Sequence, residues 1–344
     1  SHPFIQGMPC HETSEEHSRS FRIIEPPEEI TPLSQTGAEL GWYTQQWTTA
    51  DPFHLSVKSA GWCRVRPSEP QSLNWYFEQL QKVTAFLAIV AGAPMSPDCI
   101  RIYSGSQSHE AYVLFTRQDV KYCNYESPHK FFLTRHALGD AFPRIVERWF
   151  EVYSDVGIPS QLAISILASD KLWNHVEFLS WMQTLEGFHR GLLDGIYMDA
   201  AAYENVQKTL NDAIPPLVQN DHREALRSRI RYGNELSLAK RLNQLADRLS
   251  QPVRERVFGS SGKVPRAWID TRNYYTHWDE ELRPNILDGQ GLMHANLRMS
   301  HFLRALYLNL IGVPHDTIQN ALDGTNDTSQ WLIQINAASR RQTG

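Results

Sequence analysis

The chain is 344 residues long, enough for two domains of ordinary size that each bury a core. Charged residues make up 21% and apolar residues 41%, which excludes an intrinsically disordered chain and a membrane-embedded one. A formal net charge of −5 excludes a protein that coats nucleic acid by bulk attraction, but leaves room for a local basic face.

The opening "SHPFIQGMPCHETSEEHSRS" lacks a basic start followed by an apolar stretch, so no export signal is expected. Cys10, Cys63, Cys99 and Cys123 are too scattered for zinc spacing and too few for a disulfide framework. A reducing cytoplasm is therefore expected, with no cofactor and no metal. The first 135 residues read mainly as strands. "FRIIEP", "LGWYTQQWTTA", "HLSVKSAGWCRVRP", "CIRIYSG" and "EAYVLFTRQ" are short runs rich in β-branched and aromatic residues, several of them separated by turn residues. One helix interrupts them, "SLNWYFEQLQKVTAFLAIVAG", with Ser72 as its cap. Its apolar part is too short to span a bilayer.

From about Leu138 the period changes from 2 to 3.6, which places a domain boundary there: 1–135 β-rich, 138–344 helical. Phe178, Met182, Leu185, His189 and Leu192 recur at steps of four and three and form one helical stripe. Helices are expected over 199–212, 221–231, 236–249 and 251–258, and a longer one over 289–312 with Leu292, Met299, Phe302, Leu306 and Leu310 on one face. "SSGK" at 260–263 breaks the pattern, and Asp270 or Thr271 is expected to cap the helix that follows. The polar tail from Leu322 either packs back or frays. The fold class is thus α+β, a β-rich domain followed by an all-α antiparallel bundle. Between Arg223 and Arg256 nine basic residues face four acidic ones, a local excess of five positive charges.

The segment "AWIDTRNYYTHWDEEL" carries the chemistry. Arg272 is followed directly by Asn273 and, five positions on, by His277. On a helix Asn273 and His277 share a face, whereas Arg272 lies about 140° around from His277. An Arg and a His at this spacing arise by chance about once in a chain of this composition, so the context decides. "RNYYTH" resembles the Arg-polar-x-x-x-His signature of the HEPN family, whose members are helical bundles and in many cases metal-independent ribonucleases. "FLSWMQTLEGFHR", "RYGNELSLAKRLNQL" and the apolar helix after the motif are similar to the ApeA-like HEPN branch associated with anti-phage defence. That family's β-rich N-terminal domain is usually longer, so a truncated or compact version is expected here.

The resemblance implies an endoribonuclease whose active site forms at a homodimer interface of the bundle. A two-fold axis would bring two copies of the motif into one cleft. RNA cleavage without a metal needs a proton acceptor for the 2′-OH, positive charge at the phosphorus and an acid for the leaving oxygen. His277 fits proton transfer, Arg272 fits charge stabilisation, and Asn273 fits orientation of either. Glu186 and His189 are candidates to support the site. Tyr274 and Tyr275 are candidates to stack on bases, and Arg227, Arg231 and Arg241 to follow the RNA backbone. The expected partners are RNA, with tRNA as one suitable target, a second copy of the chain and a phage-derived trigger, with no membrane. The competing expectation is a non-catalytic HEPN bundle that senses or scaffolds by binding RNA or a protein.

Overall fold

The computed structural model describes residues 10–15, 18–23, 27–50, 55–104, 109–113, 130–169 and 172–343. Its N-terminal region holds two hairpins, β1 (Cys10–Glu15) with β2 (Ser18–Ile23) and β6 (Ile100–Ser104) with β7 (His109–Val113), and one antiparallel sheet of β3 (Glu29–Leu33), β4 (Ala38–Ala50) and β5 (Leu55–Pro67) in that order. Residues 114–129, where the expected strand "EAYVLFTRQ" ends, and 24–26, where "FRIIEP" ends, lie outside the described residues.

The sheet has one buried face because the side-chain period along a strand is two. Ala38, Leu40 and Trp42 of β4 are buried, while Glu39 between them is exposed. That face packs on α1 (Leu73–Ala91) and on the long α3 (Phe142–Ala168), which follows the one-turn α2 (Arg135–Leu138). Ser72 caps α1 as expected, its hydroxyl accepting from the Trp75 N–H. Trp42, Phe86, Phe142 and Trp149 interlock, and the Trp149 indole donates to the Lys82 carbonyl at 2.9 Å. Each such fully buried ring contributes about 1.5–3 kcal/mol. At the edge of the sheet, Arg135 grips Glu29 with two donors at 2.6 and 2.8 Å.

The helical region continues with α4 (Asn174–Leu192), α5 (Ala200–Asp212), α6 (Asn220–Arg231), α7 (Leu238–Ala246), α8 (Gln251–Phe258), α9 (Arg266–His277), α10 (Gly289–Leu310), α11 (His315–Leu322) and α12 (Asp327–Thr343). α3, α4 and α10 form its centre. Phe188 of α4 and Trp149 of α3 both meet Tyr307 of α10 edge-on. The architecture is α+β, and one continuous apolar core runs from the sheet through α1 and α3 into the bundle.

One expectation is corrected, and of the two alternatives left open for the tail the structure shows packing back. Asp270 and Thr271 are not caps: α9 begins at Arg266 with Pro265 at the cap position, because Trp268 and Ile269 are themselves buried in the bundle. The tail does not fray over its described length. α12 packs on α8 and α10, Leu332 is buried, and the Asn336 amide donates to the Arg256 carbonyl at 2.7 Å.

Candidate active site

α9 crosses α4 through its buried face, which holds Trp268, Ile269, Thr271 and Tyr274. The Thr271 hydroxyl accepts from the Leu287 N–H at 2.8 Å and ties the following loop back onto the helix. This anchoring leaves Arg272 and Asn273 partly exposed and His277 exposed on the last turn. Trp278 ends the helix in the left-handed region (φ 53°), with its N–H on the Tyr274 carbonyl at 2.7 Å. A left-handed conformation is unusual for a bulky residue.

Arg272 and Asn273 are brought together: one guanidinium nitrogen donates to the Asn273 side-chain oxygen at 3.3 Å. A second nitrogen lies 3.9 Å from a carboxylate oxygen of Glu186 on α4. Among the described residues the His277 side chain makes no hydrogen bond, ion pair or ring contact, so its imidazole is available to a substrate. Arg272, 29% exposed, offers planar donors on another face of the same helix.

Glu186 and His189, three positions apart on α4, part company in space. Glu186 faces Arg272, and its other oxygen accepts from Arg190 at 3.1 Å. Arg190 also reaches Glu235 at 2.8 Å, and Glu235 reaches Arg241 at 3.2 Å. The result is a ladder of alternating charge, Arg272, Glu186, Arg190, Glu235, Arg241. His189 is fully buried under it, with Nδ1 at 3.1 Å from Arg241 and Nε2 at 2.8 Å from the Gln244 oxygen. A guanidinium only donates, so Nδ1 accepts and the ring is neutral with its proton on Nε2. Burial, and then the charge of Arg241, holds this imidazole below the ordinary histidine range against the Gln244 hydrogen bond.

The candidate RNA-contacting residues divide in the same way. Arg241 is 2% exposed and spends its donors on His189, Glu235 and the Leu236 and Gly195 carbonyls, which leaves no face for a phosphate. Its side chain is structural. Tyr274 is buried among Tyr275 and Trp278, which removes it from base stacking. Tyr275 is half-buried and stacks on His175 at 5.8 Å. Arg227 is paired with Glu224 at 2.7 Å on an exposed helix face, and Arg231 is exposed. Sequence reasoning missed Arg190, Glu235 and Gln244. Arg190 lies one turn after Glu186 and was open to detection as a helical ion pair. Glu235 and Gln244 arrive from another part of the chain, and no local spacing announces them.

Two family models match the chain. Apea-like HEPN matches residues 179–317, which contain Glu186, the whole ladder and the Arg272–His277 motif. ApeA N-terminal domain 1 matches residues 4–149. A β-rich domain before a helical bundle, matched by the two models in this order, points to an anti-phage HEPN nuclease family. The chain belongs to the ApeA-like HEPN family. No curated protein and no solved structure matches it. Among the described residues no helix is long and apolar enough to cross a membrane.

Proposed function

We propose that this protein is a metal-independent endoribonuclease that arrests infected cells by cutting RNA. One observation carries the reading: a His277 whose side chain has no partner among the described residues and a partly exposed Arg272 share the outer turns of α9. In the proposed reaction His277 takes the proton of a ribose 2′-OH, and the oxygen attacks the adjacent phosphorus. The bond from phosphorus to the 5′ oxygen breaks, leaving a 2′,3′-cyclic phosphate and, after protonation by the His277 of a second copy, a 5′-OH. Arg272 balances the charge that builds on the phosphate oxygens, and Asn273 holds its guanidinium in plane. Because the nucleophile is the 2′-OH, DNA is not a substrate. Looped RNA such as tRNA is the target class, since its loops present unstacked bases, and the cytoplasm is where such RNA is met.

A homodimer completes this site. Arg272 and His277 lie about 140° apart around α9, so one copy cannot enclose a phosphate, whereas two motifs across a two-fold axis can. Trp173, Val176, Trp278 and Met293 are exposed around the ends of α4, α9 and α10, which the Asn296–Asn174 and Tyr275–His175 contacts draw together. Such a rim of large apolar side chains suits a self-complementary interface. In the cell a phage component would release the activity, and the N-terminal domain is the element proposed to sense it.

Purified wild type and His277→Ala are to be incubated with total cellular RNA in EDTA, and the new ends mapped. The expected result is discrete cleavage with 2′,3′-cyclic phosphates by the wild type and none by the variant. Absence of cleavage with and without extract from infected cells would leave a non-catalytic bundle that binds RNA or a protein.

A further inference from the structure

Residues 196–236 leave the bundle as an arm. α5 and α6 pack on each other, joined by the Tyr203 hydroxyl on the Ile230 carbonyl, and touch the rest of the chain little. The arm is rooted in a short two-stranded stem. Ile196 bridges Glu235, the Tyr197 N–H donates to the Asn234 carbonyl at 2.9 Å, and the Leu236 N–H donates to the Gly195 carbonyl at 2.8 Å. The Asn234 amide closes the stem by pairing with both the N–H and the carbonyl of Met198, at 3.1 and 2.8 Å.

Aromatic rings and unpaired cations collect at this root. Tyr197 is 48% exposed with the Lys240 ammonium 4.4 Å from its ring centroid, and Tyr232 is 60% exposed. Arg229 and Arg231, on the last turn of α6 before Tyr232, are exposed and have no acidic partner among the described residues. Their neighbours on α6 are engaged: Arg227 with Glu224, and Arg223 with the Pro216 and Val218 carbonyls. Exposed tyrosine rings, one with a cation on one face, within a few residues of guanidinium groups on two sides of a helix end are features that single-stranded nucleic acid binds, because every base offers a stacking face and every linkage a charge. The same root carries Glu235, the rung of the charge ladder that leads through Arg190 and Glu186 to Arg272.

We propose that Tyr197, Tyr232, Arg229 and Arg231, with Lys240, form a subsite that grips single-stranded RNA flanking the bond cut at Arg272 and His277. The proposal rests on the ribonuclease reading for the role of the motif, but not for RNA binding itself. Stacking by the two tyrosines holds bases without regard to sequence, and the two arginines track the backbone. Exposed apolar groups lie on α5 and the tip, at Val206, Leu210 and Leu217, and at the root itself, at Ile196 and Met198, but the root alone adds the cations Arg229, Arg231 and Lys240, which favour a polyanion over a protein partner.

The test measures binding of a fluorescein-labelled oligouridylate to full-length His277→Ala, which removes cleavage from the reading, by anisotropy across a salt series. Adding Tyr197→Ala and Tyr232→Ala together is expected to weaken binding at least about 10-fold. Adding Arg229→Gln and Arg231→Gln is expected to lower the salt slope by about 0.7 per residue. Trp331→Ala, an exposed aromatic substitution on α12, is the control and leaves both unchanged. Unchanged affinity in the tyrosine pair, or loss of dimer in sedimentation with RNA affinity intact, overturns the subsite and assigns the root to a protein contact. Arm-dependent binding by the His277→Ala protein, when the protein with His277 intact cleaves nothing, keeps the subsite and removes the nuclease reading. Cleavage with unaltered KM by the tyrosine pair made in the protein with His277 intact does the reverse.

Discussion

Arg272 sits where a planar donor and a spherical one differ most. Its guanidinium meets Asn273 and Glu186 with separate nitrogens while keeping a face to solvent, which a lysine ammonium cannot do. Arg272→Lys is expected to lower kcat about 100-fold or more on an RNA substrate while leaving urea denaturation within about 0.5 kcal/mol of wild type. A Lys variant of near-normal kcat would mean that charge alone suffices. Buried histidines govern a different property. The His301 imidazole, fully buried in α10, is pushed down to about 3 by burial and by neighbouring Arg304. In the unfolded chain it titrates near 6.5, so between those values the unfolded state holds a proton that the native state lacks. Stability is therefore complete above about pH 6.5 and falls as pH drops toward 3, by up to about 1.4 kcal/mol per unit. His189 acts in the same direction. His301→Leu is expected to flatten the loss between pH 7 and pH 5 in urea titrations, and an equally steep loss in that variant would discard His301 as a source.

Between elements, α3 and α4 approach closely at a glycine of α4. A Cβ on Gly191 would stand 2.0 Å from the Asp155 carbonyl oxygen of α3, so only glycine lets the two backbones meet there. Gly191→Ala is expected to cost about 1–3 kcal/mol by forcing α3 and α4 apart, and a shift of the thermal midpoint smaller than about 1 °C would contradict that contact. The stem of the arm depends on one side chain in the same sense. Asn234→Ala leaves the N–H and carbonyl of Met198 without their partner. Faster amide exchange confined to 196–236 is the expected outcome. Exchange that quickens throughout α4 and α10 instead would show that the arm is not a separate opening unit.

At the scale of the molecule, the change of period near Leu138 does not divide the core. Phe142, Ile145 and Trp149 of α3 pack toward the sheet and α1, while Tyr153 and Val156 of the same helix continue into the bundle. A 138–344 fragment is thus expected to expose the first of these and to aggregate, whereas the full chain stays soluble under the same conditions. Assembly sets the other whole-molecule expectation. If two motifs are needed for one cut, specific activity rises with protein concentration until the dimer is saturated, and a constant specific activity down to the nanomolar range would argue for a self-sufficient monomer.

Those features that repeat along a short stretch of chain were legible without coordinates. The stripes of α4 and α10, the Ser72 cap and the Arg-Asn-x-x-x-His turn are properties of neighbouring residues, and local sterics and helical period determine them. Where a polar side chain ends up is a property of what packs against it. Arg241 lies in a basic run that reads as a solvated helix face or a phosphate-facing patch, yet the crossing of α7 and α4 buries it against His189 and makes it a strut. Glu186 and His189 share a helix and diverge because α9 covers one and α7 the other. The α9 start was missed for the same reason, since burial of Trp268 and Ile269 outweighed the capping preference of Asp270. Sequence alone determined those stripes, that cap and the motif; the charge ladder from Arg272 to the arm was decided by tertiary packing, because its rungs come from three segments that only the folded bundle brings within reach of one another.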